Sequence, residues 1–250
     1  MKRRLLLAAA AALLATLPAA ADEDLVSGVS QDVVEITSNY TGTDLTVFGD
    51  VEQPEDAAGR DIVVVVRGPD ARITVRRKDR FAGIWINNAR AQLIGMPSYY
   101  FLASTRPLED IAAPDTLRRY DLGLDNLRPE RALSDGSIDP YVRAMVRALG
   151  KRGLYVQSGT AVEMLSATLF RVRVPVPATV PRGSYNVQVY LFRDGNVVSA
   201  QSTPLFVDQT GFDRRLYTFA HRWPFSYGVS TVLMALLFGW ASSFLFRRKA

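Results

Sequence analysis

The chain has 250 residues, with 30 Lys and Arg against 25 Asp and Glu, one His and no Cys. Without cysteine there are no disulfides, thiol nucleophiles, thiolate metal sites or lipoprotein attachment, and one histidine is too few for a His-based metal cluster. Six basic residues lie at the ends (Lys2, Arg3, Arg4, Arg247, Arg248, Lys249), and all acidic residues lie between Asp22 and Asp213. The part between holds 24 basic against 25 acidic residues, so general electrostatic binding of nucleic acid is not expected.

Residues 1–21 read as a cleaved secretory signal, with an uncleaved anchor as the alternative: a basic start, an apolar run from Leu5 to Leu17, and the small-residue exit Pro18-Ala19-Ala20-Ala21. Residues 22–208 then read as an exported β-rich body. Val33-Val34-Glu35-Ile36-Thr37 and Asp44-Leu45-Thr46-Val47-Phe48-Gly49 are β-prone runs around a turn composition. Ile62 to Val66 is continuous and β-branched, which suits a strand covered on both faces. Gly68-Pro69-Asp70 turns the chain into the alternating Arg72-Ile73-Thr74-Val75-Arg76. Phe81 to Ile86 and Tyr99 to Ala103 extend this into an expected meander of successive antiparallel strands.

Between about 105 and 153 the pattern turns helical. The strongest helix is Pro140 to Leu149, with Asp139 as its cap, Tyr141, Met145 and Leu149 on an apolar face, and Arg143, Arg147 and Lys151 on a basic stripe. Strands resume at Leu154. Leu169 to Val174 and Tyr185 to Leu191 alternate with period two, and Asp194-Gly195 marks a hairpin into Val197 to Val207. Pro181-Arg182-Gly183-Ser184-Tyr185 resembles the tyrosine corner of immunoglobulin-like domains. The expected fold is therefore mainly β: an immunoglobulin-like β-sandwich with a helical insertion, with a split into two domains near Leu154 as the alternative.

Residues 209–224 carry Phe212, Leu216, Phe219 and Trp223 at helical spacing, with Arg214, Arg215, His221 and Arg222 as polar neighbours. Two readings stand: an amphipathic helix at the membrane surface, or a helix packed on the body. Residues 225–246 are uncharged, and 22 residues reach roughly 33 Å as a helix, enough for a bilayer of ~30 Å. Arg247, Arg248 and Lys249 follow, so 247–250 is expected on the cytoplasmic side of a bacterial inner membrane and the body in the periplasm.

No residue pattern in the chain points to a particular chemistry. His221 lies beside Trp223 at the expected membrane surface, a poor place for a hydrolytic pocket. The pairs Glu109 with Asp110 and Asp121 with Asp125 lack calcium-loop spacing, and no glycine pattern cradles a phosphate. No catalytic, cofactor-binding or metal residue is assigned, and no enzyme is expected. Ala235, Gly239 and Ser243 stand four apart in the span, which lets another helix approach, either an integral membrane partner or a second copy. The alternative is a periplasmic anion receptor using Arg143, Arg147 and Lys151, or the Arg72 and Arg76 strand face. The runs Phe81 to Asn88 and Gly95 to Phe101 concentrate aromatics as recognition surfaces do, although a core also uses them.

The stretches Glu35 to Gly42, Gly83 to Asn87 with Met96-Pro97-Ser98-Tyr99-Tyr100, and Tyr227-Gly228 leading into a span with Gly239-Trp240 resemble an uncharacterised family of alphaproteobacterial transmembrane proteins. The resemblance covers nearly the whole chain and brings no catalytic residues with it. It implies an accessory role beside a multi-pass anion exporter of the sulfite or sulfonate type.

Overall fold

A computed structural model describes residues 25–37, 40–51, 59–81, 83–134, 136–209 and 212–246. The expected signal at 1–21 and the expected cytoplasmic tail at 247–250 lie outside the described residues.

Sheet A has the order β1 (Leu25–Val29), β3 (Gly42–Val51), β11 (Leu169–Pro177) and β10 (Val162–Met164), all antiparallel. Its strands alternate as half-buried strands should. Leu45, Val47, Gly49 and Val51 on β3 and Phe170, Val172, Val174 and Val176 on β11 are buried, and the residues that alternate with them are not. Sheet B has the order β2 (Val33–Ile36), β13 (Asn196–Gln209), β12 (Gly183–Arg193), β4 (Arg60–Arg67), β7 (Tyr100–Ser104) and β9 (Tyr155–Ser158). At its centre Ile62 to Val66 are all buried, as are all five residues of β7, because this sheet is covered on both faces.

The register assigns the two faces of sheet B. Val64 stands opposite Val189 and Ala103, and Val66 opposite Val187 and Phe101. This face meets sheet A: the Tyr99 hydroxyl donates to the Pro175 carbonyl of β11 at 2.5 Å. The opposite face carries Val63, Val65, Tyr100, Leu102 and Tyr190. It is covered by the segment containing α1 (Leu108–Ile111), α2 (Pro114–Arg119) and a 3₁₀ turn at Leu124–Asn126. Tyr120 packs edge-on against Tyr190 at 5.7 Å, and the Gly123 amide donates to the Tyr100 hydroxyl at 2.9 Å. The expected helical insertion therefore forms a third layer over the sheet.

Two expected local structures are present. Tyr185 donates its hydroxyl to the Pro181 carbonyl at 2.5 Å, closing the corner ahead of β12. Asp194 and Gly195 have φ of 48° and 81°, the paired positive values of the two-residue turn joining β12 to β13.

The meander differs from expectation. β2 and β3 lie in different sheets, and β2 runs parallel to β13, as β9 does to β7. β4 pairs with β7 and β12, while β5 (Asp70–Phe81) and β6 (Ile84–Pro97) leave as a long hairpin and form sheet C with β8 (Arg131–Ser134). Phe81 to Ile86 is not one strand; the chain reverses between Phe81 and Ile84. The cause is burial: β4 and β7 are apolar on both sides and seek the centre of a sheet, whereas β5 alternates with charge and can bury one face only.

The helix α3 (Asp139–Lys151) buries Tyr141, Val142 and Met145. Asp139 is its first residue rather than its cap, and Ile138 in the capping position makes no side-chain bond. Two helices close the chain, α4 (Phe212–Arg222) and α5 (Pro224–Phe246).

Candidate functional site

The segment that separates this chain from an ordinary β-rich body is α5. Its apolar side chains are exposed all round: Phe225, Leu236, Leu237, Phe238 and Trp240 each show more than 60% of their surface. A long apolar helix in the core of a water-soluble protein would be covered; none of this one is, while its length and composition suit a bilayer crossing. Two of its hydroxyls are satisfied within the helix, Ser230 donating to the Ser226 carbonyl at 2.8 Å and Thr231 to the Tyr227 carbonyl at 2.9 Å. That economy is what a lipid environment demands.

A family model described as "Putative transmembrane protein" (Alph_Pro_TM) matches residues 24–248. The chain belongs to this family. It is a membrane protein with a β-rich part and one C-terminal apolar helix. No curated protein matches the chain.

Ala235, Gly239 and Ser243 are exposed on α5, and a β-carbon built at Gly239 would meet nothing within 4 Å. Nearer the start of the span, Gly228 leaves an apolar groove bounded by Phe225, Val229 and Val232. Along α4 and at the residue that follows it, Leu216, Phe219 and Trp223 are 40%, 38% and 60% exposed, so this face is not covered as a helix packed on the body would be. Phe212 belongs to α4, but its side chain lies outside the described residues. Pro224 does not detach the two helices. The Trp223 amide donates to the Phe219 carbonyl and the Tyr227 amide to the Trp223 carbonyl, so hydrogen bonds cross the junction, and Phe219 packs edge-on against Tyr227 at 5.9 Å. His221 stacks on Tyr217 at 3.9 Å and bonds its carbonyl, a local helical contact.

The arginines proposed for anions fall in two places. Arg143 and Arg147 line a cleft of about 400 Å³ together with Arg128, but Asp125 and Asp139 line it too, and Lys151 does not. Arg72 and Arg76 point from the exposed face of β5, where the register adds two residues that sequence reasoning had not grouped with them. Arg90 stands opposite Arg76, and Arg131 stands opposite Ile94, itself the partner of Arg72. The four guanidiniums share one face because residues opposite each other across a ladder point the same way.

A buried carboxylate lies elsewhere. Asp61 opens β4 at 3% exposure and receives Thr105 Oγ1 at 2.7 Å and Arg106 Nε at 2.9 Å, with Arg106 Nη2 completing a two-pronged pair. Burial pushes its carboxyl up, but the hydrogen bonds from Arg106 and Thr105 outweigh it and hold the group below the usual carboxylate range. Beside it a cleft of about 540 Å³ is lined by Ile62, Met164 and Leu191. The pair fastens β4 to the segment after β7. Tyr99 and Tyr100, open between core and recognition, are both buried, and burial pushes the Tyr100 hydroxyl up to about 12. The Trp85 side chain lies outside the described residues. Among those residues, no group of three His, Asp or Glu is placed to hold a metal.

Proposed function

We propose that this chain is a non-enzymatic, membrane-anchored accessory protein. Its β-rich body stands in the periplasm, and α5 with the preceding α4 docks on an integral membrane partner, for which a multi-pass anion exporter is the leading candidate. The observation that carries this reading is the uncovered α5, with an open notch at Gly239 where another helix backbone can approach. The exposed apolar face of α4, continuous with α5 through the bonds at Trp223, extends that surface toward the body. The basic residues Arg247, Arg248 and Lys249 support a cytoplasmic C-terminus. The receptor alternative gains little: the cleft with Arg143 and Arg147 is lined by the carboxylates Asp125 and Asp139 as well, and the Arg72 and Arg76 face is an open strand surface.

Gly239→Leu fills the notch without adding charge. Recovery of membrane partners by pull-down in mild detergent should fall for this variant, and unchanged recovery of every partner would remove the span from the docking role.

A further inference from the structure

The hairpin of β5 and β6 concentrates charge that the rest of the chain does not share. Residues 72–90 hold six cations (Arg72, Arg76, Arg77, Lys78, Arg80, Arg90) and one acid, Asp79. The remainder of residues 22–246 holds 18 basic against 24 acidic residues, so a net +5 on the hairpin is set against −6 elsewhere. Overall near-neutrality conceals this separation.

The fold displays the charge outward. At 12 residues, β5 is about 40 Å long at ~3.4 Å per residue, yet β8 pairs only with Ala91–Ile94 of β6. Beyond that, toward the tip, the two strands pair only with each other. The face bearing Ala91 and Leu93 is buried, and the opposite face bears Arg72, Arg76 and Arg90, all exposed, with exposed Arg131 on β8. Arg76 and Arg90 stand directly across the ladder, an arrangement that costs stability unless an anion lies over it. At the tip Lys78 and Arg80 are exposed together with Ile84, which shows 66% of its surface.

We propose that the outer face of sheet C and the tip of its hairpin form a docking surface for the headgroups of an anionic phospholipid bilayer. A row of guanidiniums spread along a strand face, with only an open recess of about 380 Å³ beside Arg90, Gln92 and Leu133, suits an extended array of phosphates better than a single small anion. The exposed Ile84 beside Lys78 and Arg80 suits the bilayer boundary, where apolar groups enter and cations stay among headgroups; a nucleic acid backbone offers that side chain nothing equivalent. The chain is also held at a bilayer by α5, so the surface it would meet is present at high local concentration. This inference does not depend on which partner the span engages.

The chain has no cysteine, so Ile84→Cys places a single environment-sensitive dye at the tip. The full chain, with its span in a phosphatidylcholine nanodisc, is titrated with vesicles of phosphatidylcholine alone or with about one-third phosphatidylglycerol. A saturable blue shift is expected with the anionic vesicles only, lost in about 1 M salt where the screening length is about 3 Å. Adding Arg76→Gln, Lys78→Gln and Arg80→Gln should raise the lipid concentration at half-saturation about a hundredfold, roughly fivefold per cation. The same dye at Glu109→Cys, on α1, should not respond, and an unchanged circular dichroism melt confirms that the neutralised chain is folded. An unfolded triple variant is replaced by Arg80→Gln alone, with about a fivefold rise expected. No shift, an equal shift with neutral vesicles, or an equal response to duplex DNA or polyglutamate without lipid overturns the proposal.

Discussion

The Tyr99 hydroxyl reaches across the core from the β6–β7 junction of sheets C and B to the Pro175 carbonyl of sheet A, 2.5 Å away. Its ring is 1% exposed and tilts against Tyr185 at 5.9 Å, while Tyr185 closes its own corner on Pro181. Two tyrosines thus supply both apolar filling and a polar tie where the layers meet, and burial pushes both hydroxyls well above the ordinary tyrosine range.

Tyr99→Phe keeps the ring and removes the tie, so unfolding free energy should fall by about 1–2 kcal/mol, as for a buried hydrogen bond. Tyr99→Ala should cost about 3–5 kcal/mol through the added cavity. Urea unfolding of the three proteins in the same detergent separates the contributions. Equal losses would mean that the hydroxyl carries the whole effect.

Gly49 is buried at a close approach inside sheet A. A β-carbon there would stand 2.5 Å from the Phe170 ring and 2.6 Å from the Val26 carbonyl, one a core side chain and the other backbone. Gly49→Ala should therefore destabilise by about 1–3 kcal/mol despite the better strand propensity of alanine. A thermal midpoint equal to that of the parent would contradict this packing.

The Asp61 pair gives a pH dependence with a definite sign. Because the folded carboxyl titrates below its unfolded value of about 3.9, its contribution is present above that pH and is lost as pH falls through the lower folded value. Asp61→Asn should lower the melting temperature at neutral pH by roughly 2–4 °C. The gap between parent and variant should close below about pH 4. A gap that persists at low pH would show that hydrogen-bond geometry, not charge, is what the substitution removes.

The anchor is tested by extraction and by sidedness. The full chain should stay with the membrane after carbonate washing, whereas a chain ending at Arg222 should be released. A reporter fused behind Ala250 should be active only in the cytoplasm, following the basic residues after the span. Activity on the external side would reverse the assignment of the body to the periplasm.

Much of the local structure is legible from the residues. The alternation along β3, β11 and β12, the β-branched block of β4, the Asp194-Gly195 turn, the tyrosine corner and the apolar run of α5 each write a period or a turn into a short stretch. The basic hairpin was half legible. Arg72 and Arg76 show their common face by spacing alone, but Arg90 and Arg131 join them only through register, and no local signal sets that pairing. A charge count over a sliding window would have found the cationic stretch that the whole-chain balance conceals.

The sequence by itself determined that this protein has a β-rich body and one apolar C-terminal helix, because period, turn chemistry and a charge-free run of bilayer length act within a few neighbouring residues. Only the tertiary structure decided that β2 and β3 separate, that β5 and β6 leave the meander, that the helical segment covers sheet B, and that four arginines share a face. Those outcomes rest on contacts between residues distant in the chain, where each strand settles according to how many of its faces must be kept from water.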